Sequence, residues 1–153
     1  MTHEEIMRTI VAHTQKAAEE GAGGLFGAAV VKDGEIVALG VNRVRQESDP
    51  TAHGEVVAIR NAAKILGPRF PAGHVLYTTS QSCPMCVSAA IWAGIEKIYF
   101  SATCEDDHQV GLSDKHVYDY LRGNEDPKLL EQIQLLPELA KDQILSGWEA
   151  RFR

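Results

Sequence analysis

The sequence predicts an α/β fold: a three-layer sandwich with a mixed sheet of five strands and helices on both faces. Three observations carry this. Segments with helical spacing of apolar residues alternate with short strand-like runs along most of the chain. The first two strand-like runs are joined by Asp33-Gly34, a pair suited to a tight hairpin turn. Later, two strand-like runs flank a helical segment, as in a right-handed crossover around a sheet.

Taken in order, residues 2–20 read as a helix. Thr2 and Glu5 have the spacing of a capping box, Ile6, Ile10, Val11 and Ala17 recur at helical intervals, and Gly21, Gly23 and Gly24 end it. Two strands follow at 26–31 (FGAAVV) and 35–41 (EIVALGV). After the polar stretch 42–49, residues 53–66 (HGEVVAIRNAAKIL) have helical spacing and stop at Gly67-Pro68. A short buried strand is expected at 74–79, a helix at 83–94 with Pro84 in its first turn and Gly94 at its end, and a strand at 97–102. Beyond these, 114–121 reads as a short helix, 132–135 as the fifth strand and 137–152 as a terminal helix bearing Leu139, Ile144, Leu145, Trp148 and Phe152.

The 153 residues, 44% hydrophobic and 24% charged, suit a single domain spanning 1–153. No apolar run approaches the roughly 18 residues of a membrane span, and the N-terminus lacks the pattern of a leader, so a cytoplasmic protein is expected. Three cysteines are too few for a disulfide scaffold. The formal charge of −6, from 15 Lys and Arg against 21 Asp and Glu, provides no general attraction for phosphates and argues against a nucleic-acid partner.

The chemistry is concentrated in two short motifs, His53-Gly54-Glu55 and Cys83-Pro84-Met85-Cys86, each at an expected helix start, with 27 residues between Glu55 and Cys83. Cysteines three apart on a first helical turn face the same way, and the free N–H groups there favour thiolates. Two thiolates and one imidazole make three zinc ligands, leaving the fourth tetrahedral position open to water. Zinc lowers the pKa of such a water from 15.7 to about 7. Glu55, two residues from His53, is then placed to move protons without ligating. A redox CxxC pair would not need the separate His-x-Glu, and a closed structural zinc would need a fourth Cys or His.

These motifs, His-x-Glu followed by Cys-x-x-Cys, resemble those of the cytidine deaminase-like zinc deaminases. Through residues 24–34 (GLFGAAVVKDG), Asn42, 49–62 (DPTAHGEVVAIRNA), LYTT, CPMC and 110–118 (VGLSDKHVY), the chain looks most like the bacterial guanine deaminases. It departs from them at Gln81, where glutamate is common, at Ser82, where proline is usual, and at Gly54, where alanine is usual; none of these removes a ligand. The resemblance implies the cytidine deaminase-like fold, one zinc per chain held by His53, Cys83 and Cys86, Glu55 as catalytic proton shuttle, and deamination of guanine to xanthine and ammonia. It also implies that Asn42 and Asp114 hydrogen-bond the base, that the base stacks on His53, and that Phe26 shapes the pocket. It further implies a homodimer in which a C-terminal segment, about 137–153, is exchanged to help close the partner's site, with Trp148 and Phe152 as suitable aromatics.

Other readings stay open beside it. Cytosine, another aminopyrimidine, a triazine or a free nucleoside could be the substrate; a tRNA adenosine deaminase is disfavoured by the charge, and a non-enzymatic zinc module would have no use for Glu55. Taken alone, Asn42 is a common turn residue and Asp114 a natural helix cap. The remaining histidines have no ligand spacing to the motif, Cys104 reads as a small buried residue, and Arg60 with Lys64 reads as a solvated helix face.

Overall fold

The computed structural model describes the backbone of every residue except Glu125, Pro127 and Arg153, and the side chains of all but these and residues 137, 142 and 149–152. Residues 1–118 form one compact unit and residues 119–153 a second.

Helix α1 (His3–Glu19) starts where the sequence places it. Thr2 Oγ1 accepts the Glu5 N–H at 3.2 Å and Glu5 Oε2 accepts the Thr2 N–H at 2.7 Å, closing the capping box. Strands β1 (Gly27–Lys32) and β2 (Glu35–Val41) form the expected hairpin. Its two turn residues, Asp33 and Gly34, both have positive φ, 49° and 79°, as a type I′ turn requires. A one-turn helix α2 (Val44–Glu47) precedes α3 (Gly54–Leu66). Then come β3 (His74–Ser80), α4 (Pro84–Ala93), β4 (Ile98–Ala102) and a short α5 (Cys104–Gln109).

The sheet has the order β2-β1-β3-β4, with β1 antiparallel to both neighbours and β3 parallel to β4, so it is mixed as expected. Strand β1 is buried on both faces. Ala28 and Val30 join Ala58 and Ala62 of α3, Leu76, and Ala90 and Ala93 of α4 in one core, while Ala29 and Val31 join Ile6, Ile10 and Tyr77 beneath α1. That division, helix on each side of a central strand, makes the three layers. The helices α3 and α4 pack against each other on one face. β2 comes so near α3 that only glycine fits at position 40: a Cβ there would lie 2.2 Å from Ala58 N.

Helix α6 (Lys115–Leu121) leads into the second unit, whose main element is α7 (Pro137–Phe152). The sheet contains four strands among the described residues, not five, because the segment 132–135 forms no strand. Its alternation of Gln and apolar residues is strand-like, but a strand exists only where a neighbour completes its ladder, and no such pairing occurs among the described residues. In this unit Ile133, Leu135, Leu139, Ile144 and Trp148 are all more than 60% exposed. Phe152 is helical in its backbone, and its side chain lies outside the described residues.

Candidate functional site

The two motifs meet through helix capping. His53 is the N-cap of α3 and Cys83 the N-cap of α4, each with extended backbone, and Pro84 fills the first position of α4, where no N–H is needed. Since α3 and α4 lie side by side, their N-termini bring His53 Nδ1 to 3.5 Å from Cys83 Sγ and 3.6 Å from Cys86 Sγ. One ligand atom from each of the three residues falls within 4.8 Å of the others. A donor set of one imidazole and two thiols at this separation fits zinc, whose bonds to such ligands are about 2.0–2.3 Å, and the set leaves a fourth position open.

Electrostatically the cluster is poised for a cation. The Cys83 thiol is held down to about 4, chiefly by a hydrogen bond from Cys86 and then by His53, while the Cys86 thiol is pushed strongly up as the partner that keeps the proton. Cys83 also draws the His53 imidazole upward. Binding a metal replaces these protons, since the ligating forms are thiolate and neutral imidazole.

Glu55, in the first turn of α3, is 7% exposed. Burial pushes its carboxyl above the usual carboxylate range. Its neighbour Ser82 has a buried hydroxyl without a hydrogen-bond partner of good geometry, close enough to Glu55 to ease its ionisation. Tyr118 ties this corner down by donating from its hydroxyl to Ser82 O at 2.8 Å.

A cavity of about 270 Å³ opens over these groups. Its walls include His53, Glu55 and Cys83 together with Phe26, Asn42 and Asp114, so five of the expected side chains besides Cys83 meet in one place. Cys86 lies behind, fully buried. Trp148 belongs to the second unit, on α7, where it is exposed. Sequence reasoning singled out neither Ser80 nor Asp107, which also line the cavity; Ser80 Oγ donates to Asp107 Oδ2 at 2.5 Å. Nothing in their local pattern marks them, because they meet only through the fold.

Asn42 is held by its own turn: Oδ1 accepts the Val44 N–H at 3.2 Å, which leaves the amide N–H₂ as the group turned to other uses. The loop feeding His53 is braced in a way the sequence reading missed. Arg60, expected on a solvated face, donates to Asp49 Oδ2 at 3.1 Å and Thr51 Oγ1 at 3.0 Å, while Thr51 N and Oγ1 both donate to Asp49 Oδ1. A residue 11 positions away on a helix can reach back to its own entry loop, which helical spacing does not reveal.

Residues 1–102 match the family described as cytidine and deoxycytidylate deaminase zinc-binding region. The chain belongs to this family. It is a zinc-dependent deaminase, with His53, Cys83 and Cys86 as its zinc-binding triad. Among curated relatives of the deaminase, guanine deaminase of Bacillus subtilis is 41% identical over 118 residues, 77% of this chain and 76% of the relative. A tRNA-specific adenosine deaminase of Aquifex aeolicus is 37% identical over 102 residues, 67% of each chain. The crystal structure of guanine deaminase from Bacillus subtilis superposes with a TM-score of 0.84 at 35% identity, covering 96% of this deaminase and 95% of that chain. None of the helices described in the deaminase is long and apolar enough to cross a membrane.

Proposed function

We propose that this deaminase hydrolyses free guanine to xanthine and ammonia. The observation that carries the reading is the composition of the cavity: Glu55, His53, Asn42, Asp114 and Phe26 line one space of about 270 Å³ in a chain similar along 96% of its length to a guanine deaminase. His53, Cys83 and Cys86 would hold the zinc, which when bound would supply the Lewis acidity that makes water a nucleophile at neutral pH. Glu55 takes the proton from the attacking water and passes it to the departing amino nitrogen, the two-way role its raised proton affinity suits. The Asn42 amide donates to an acceptor of the base, the Asp114 carboxylate accepts from its N–H groups, and Phe26 with the His53 ring confines its plane.

The lining favours a free base over a nucleotide or an RNA. Three of its side chains are carboxylic acids, Glu55, Asp107 and Asp114, and the described lining holds no lysine or arginine to neutralise a phosphate. Ammonia release measured against guanine, adenine, cytosine, cytidine and a tRNA hairpin tests the reading. Guanine turned over fastest supports it; guanine inert beside another active substrate replaces it.

The apolar side chains exposed on the second unit support a homodimer, in which the C-terminal segment, about 137–153, is exchanged and Trp148 helps to close the partner's site.

A further inference from the structure

We propose that Gln81 is a specificity-determining residue, its amide donating a hydrogen bond to a ring nitrogen of the base; this rests on the free-base reading above. Gln81 follows β3 directly and is held at the end of the sheet, its N–H donating to Ala102 O at 2.9 Å. Its side chain reaches across to the start of α5, where Oε1 accepts the N–H of Cys104 at 3.2 Å. A backbone N–H only donates, so the atom facing it is the carbonyl oxygen, and the orientation of the amide follows. The nitrogen, with its two N–H groups, is what remains for the cavity that Gln81 lines.

Asn42 repeats the arrangement on another element, with Oδ1 given to Val44 N–H. Both amides thus spend their oxygen on the backbone. This matters because Glu55, Asp107 and Asp114, the carboxylic acids of the lining, are acceptors when ionised. A base offers both N–H groups and bare ring nitrogens; carboxylates serve the former, and only donors serve the latter. A glutamate at this position would cap Cys104 equally well through its own oxygen. It would supply no donor and would add a fourth acid to the lining. The exchange of one terminal atom between Glu and Gln therefore alters recognition while preserving the local fold.

The test uses the zinc-loaded full chain and two variants: Gln81→Glu, which keeps the cap to Cys104 and loses the donor, and Gln81→Met, which loses both. Zinc content, KM and kcat are measured with guanine, 3-deazaguanine and 7-deazaguanine. Both variants are expected to retain zinc and to raise KM for guanine about tenfold or more, with kcat changing less, as suits a lost hydrogen bond of recognition. The preference of the unsubstituted enzyme for guanine over one of the two deaza analogues should collapse in Gln81→Glu, identifying the ring nitrogen. A normal KM in Gln81→Glu beside an impaired Gln81→Met would reduce the residue to a helix cap and overturn the proposal. Unchanged preference against both analogues, or zinc loss in Gln81→Glu, would overturn it also. If the unsubstituted enzyme ignores guanine, the guanine reading alone fails, and the same variants are compared on the base it does deaminate and the deaza analogues of that base.

Discussion

Cys83 Sγ lies 3.5 Å from His53 Nδ1 although the residues are 30 positions apart, because each caps one of two helices packed side by side. Removing one thiolate leaves only two donors for the metal, and Cys83→Ala is expected to lose zinc from about one per chain to a small fraction, with activity falling in parallel. Metal analysis after dialysis checks this.

Glu55 points to a different outcome. It is not needed to hold the zinc, so Glu55→Gln should retain metal and fold while turnover drops by about 10²–10⁴-fold. Steady-state kinetics beside metal analysis separates the two residues. Near-normal turnover in Glu55→Gln would assign the proton transfer to another group.

Gly54, between ligand and proton shuttle, faces the start of β1. An added Cβ would stand 2.9 Å from Phe26 O and 3.0 Å from Gly27 Cα, both of them backbone atoms unable to swing away. Gly54→Ala should therefore destabilise by about 1–3 kcal/mol, the usual result of overpacking, and disturb Phe26 in the cavity wall. Urea unfolding with KM for the substrate reads both effects.

Asp49 supports the His53 loop in its ionised form. Hydrogen bonds from Thr51, then Arg60, hold its carboxyl below the usual carboxylate range. A folded-state pKa depressed in this way contributes stability above the unfolded value of about 3.9, and that contribution is lost as pH falls toward and through the folded value. Asp49→Asn should thus melt lower than the unsubstituted chain at pH 7, and the gap should close as pH drops below about 4. Loss of zinc in acid affects both proteins, so the difference in melting temperature is the quantity to follow.

What the sequence discloses is what depends on near neighbours. The capping box of Thr2 and Glu5, the Asp33-Gly34 turn and the two ligand motifs are each local, and each appears in the structure where the pattern puts it. Ser80 with Asp107, and Gln81 with Cys104, are joined across the ends of β3 and β4, so no spacing announces them. Arg60 is exposed on its helix as the spacing implies, but that spacing says nothing of the loop it grips. The segment 132–135 shows the limit most plainly: alternation supplies a strand's two faces, but not its partner.

That same second unit yields the last prediction. Leu139, Ile144, Leu145 and Trp148 of α7 are between 56% and 75% exposed, and Ile133, Leu135 and Leu136 before it between 62% and 80%. Singly exposed apolar residues are ordinary, whereas a run of them within one small unit marks a surface meant to be covered. The proposed dimer would cover it with a second copy of the chain, and burial would return about 25 cal/mol for each Å² of apolar surface removed from water. Truncation after Leu136 should accordingly convert a dimer to a monomer in sedimentation velocity. Trp148→Ala in the full chain should leave the zinc content intact but raise KM if the aromatic closes the partner's site. The truncation tests association and the point substitution tests the site, so the two can fail separately. A truncated chain with unchanged mass in solution and unchanged KM would leave α7 without either role, and the exposed leucines would then need a partner of another kind.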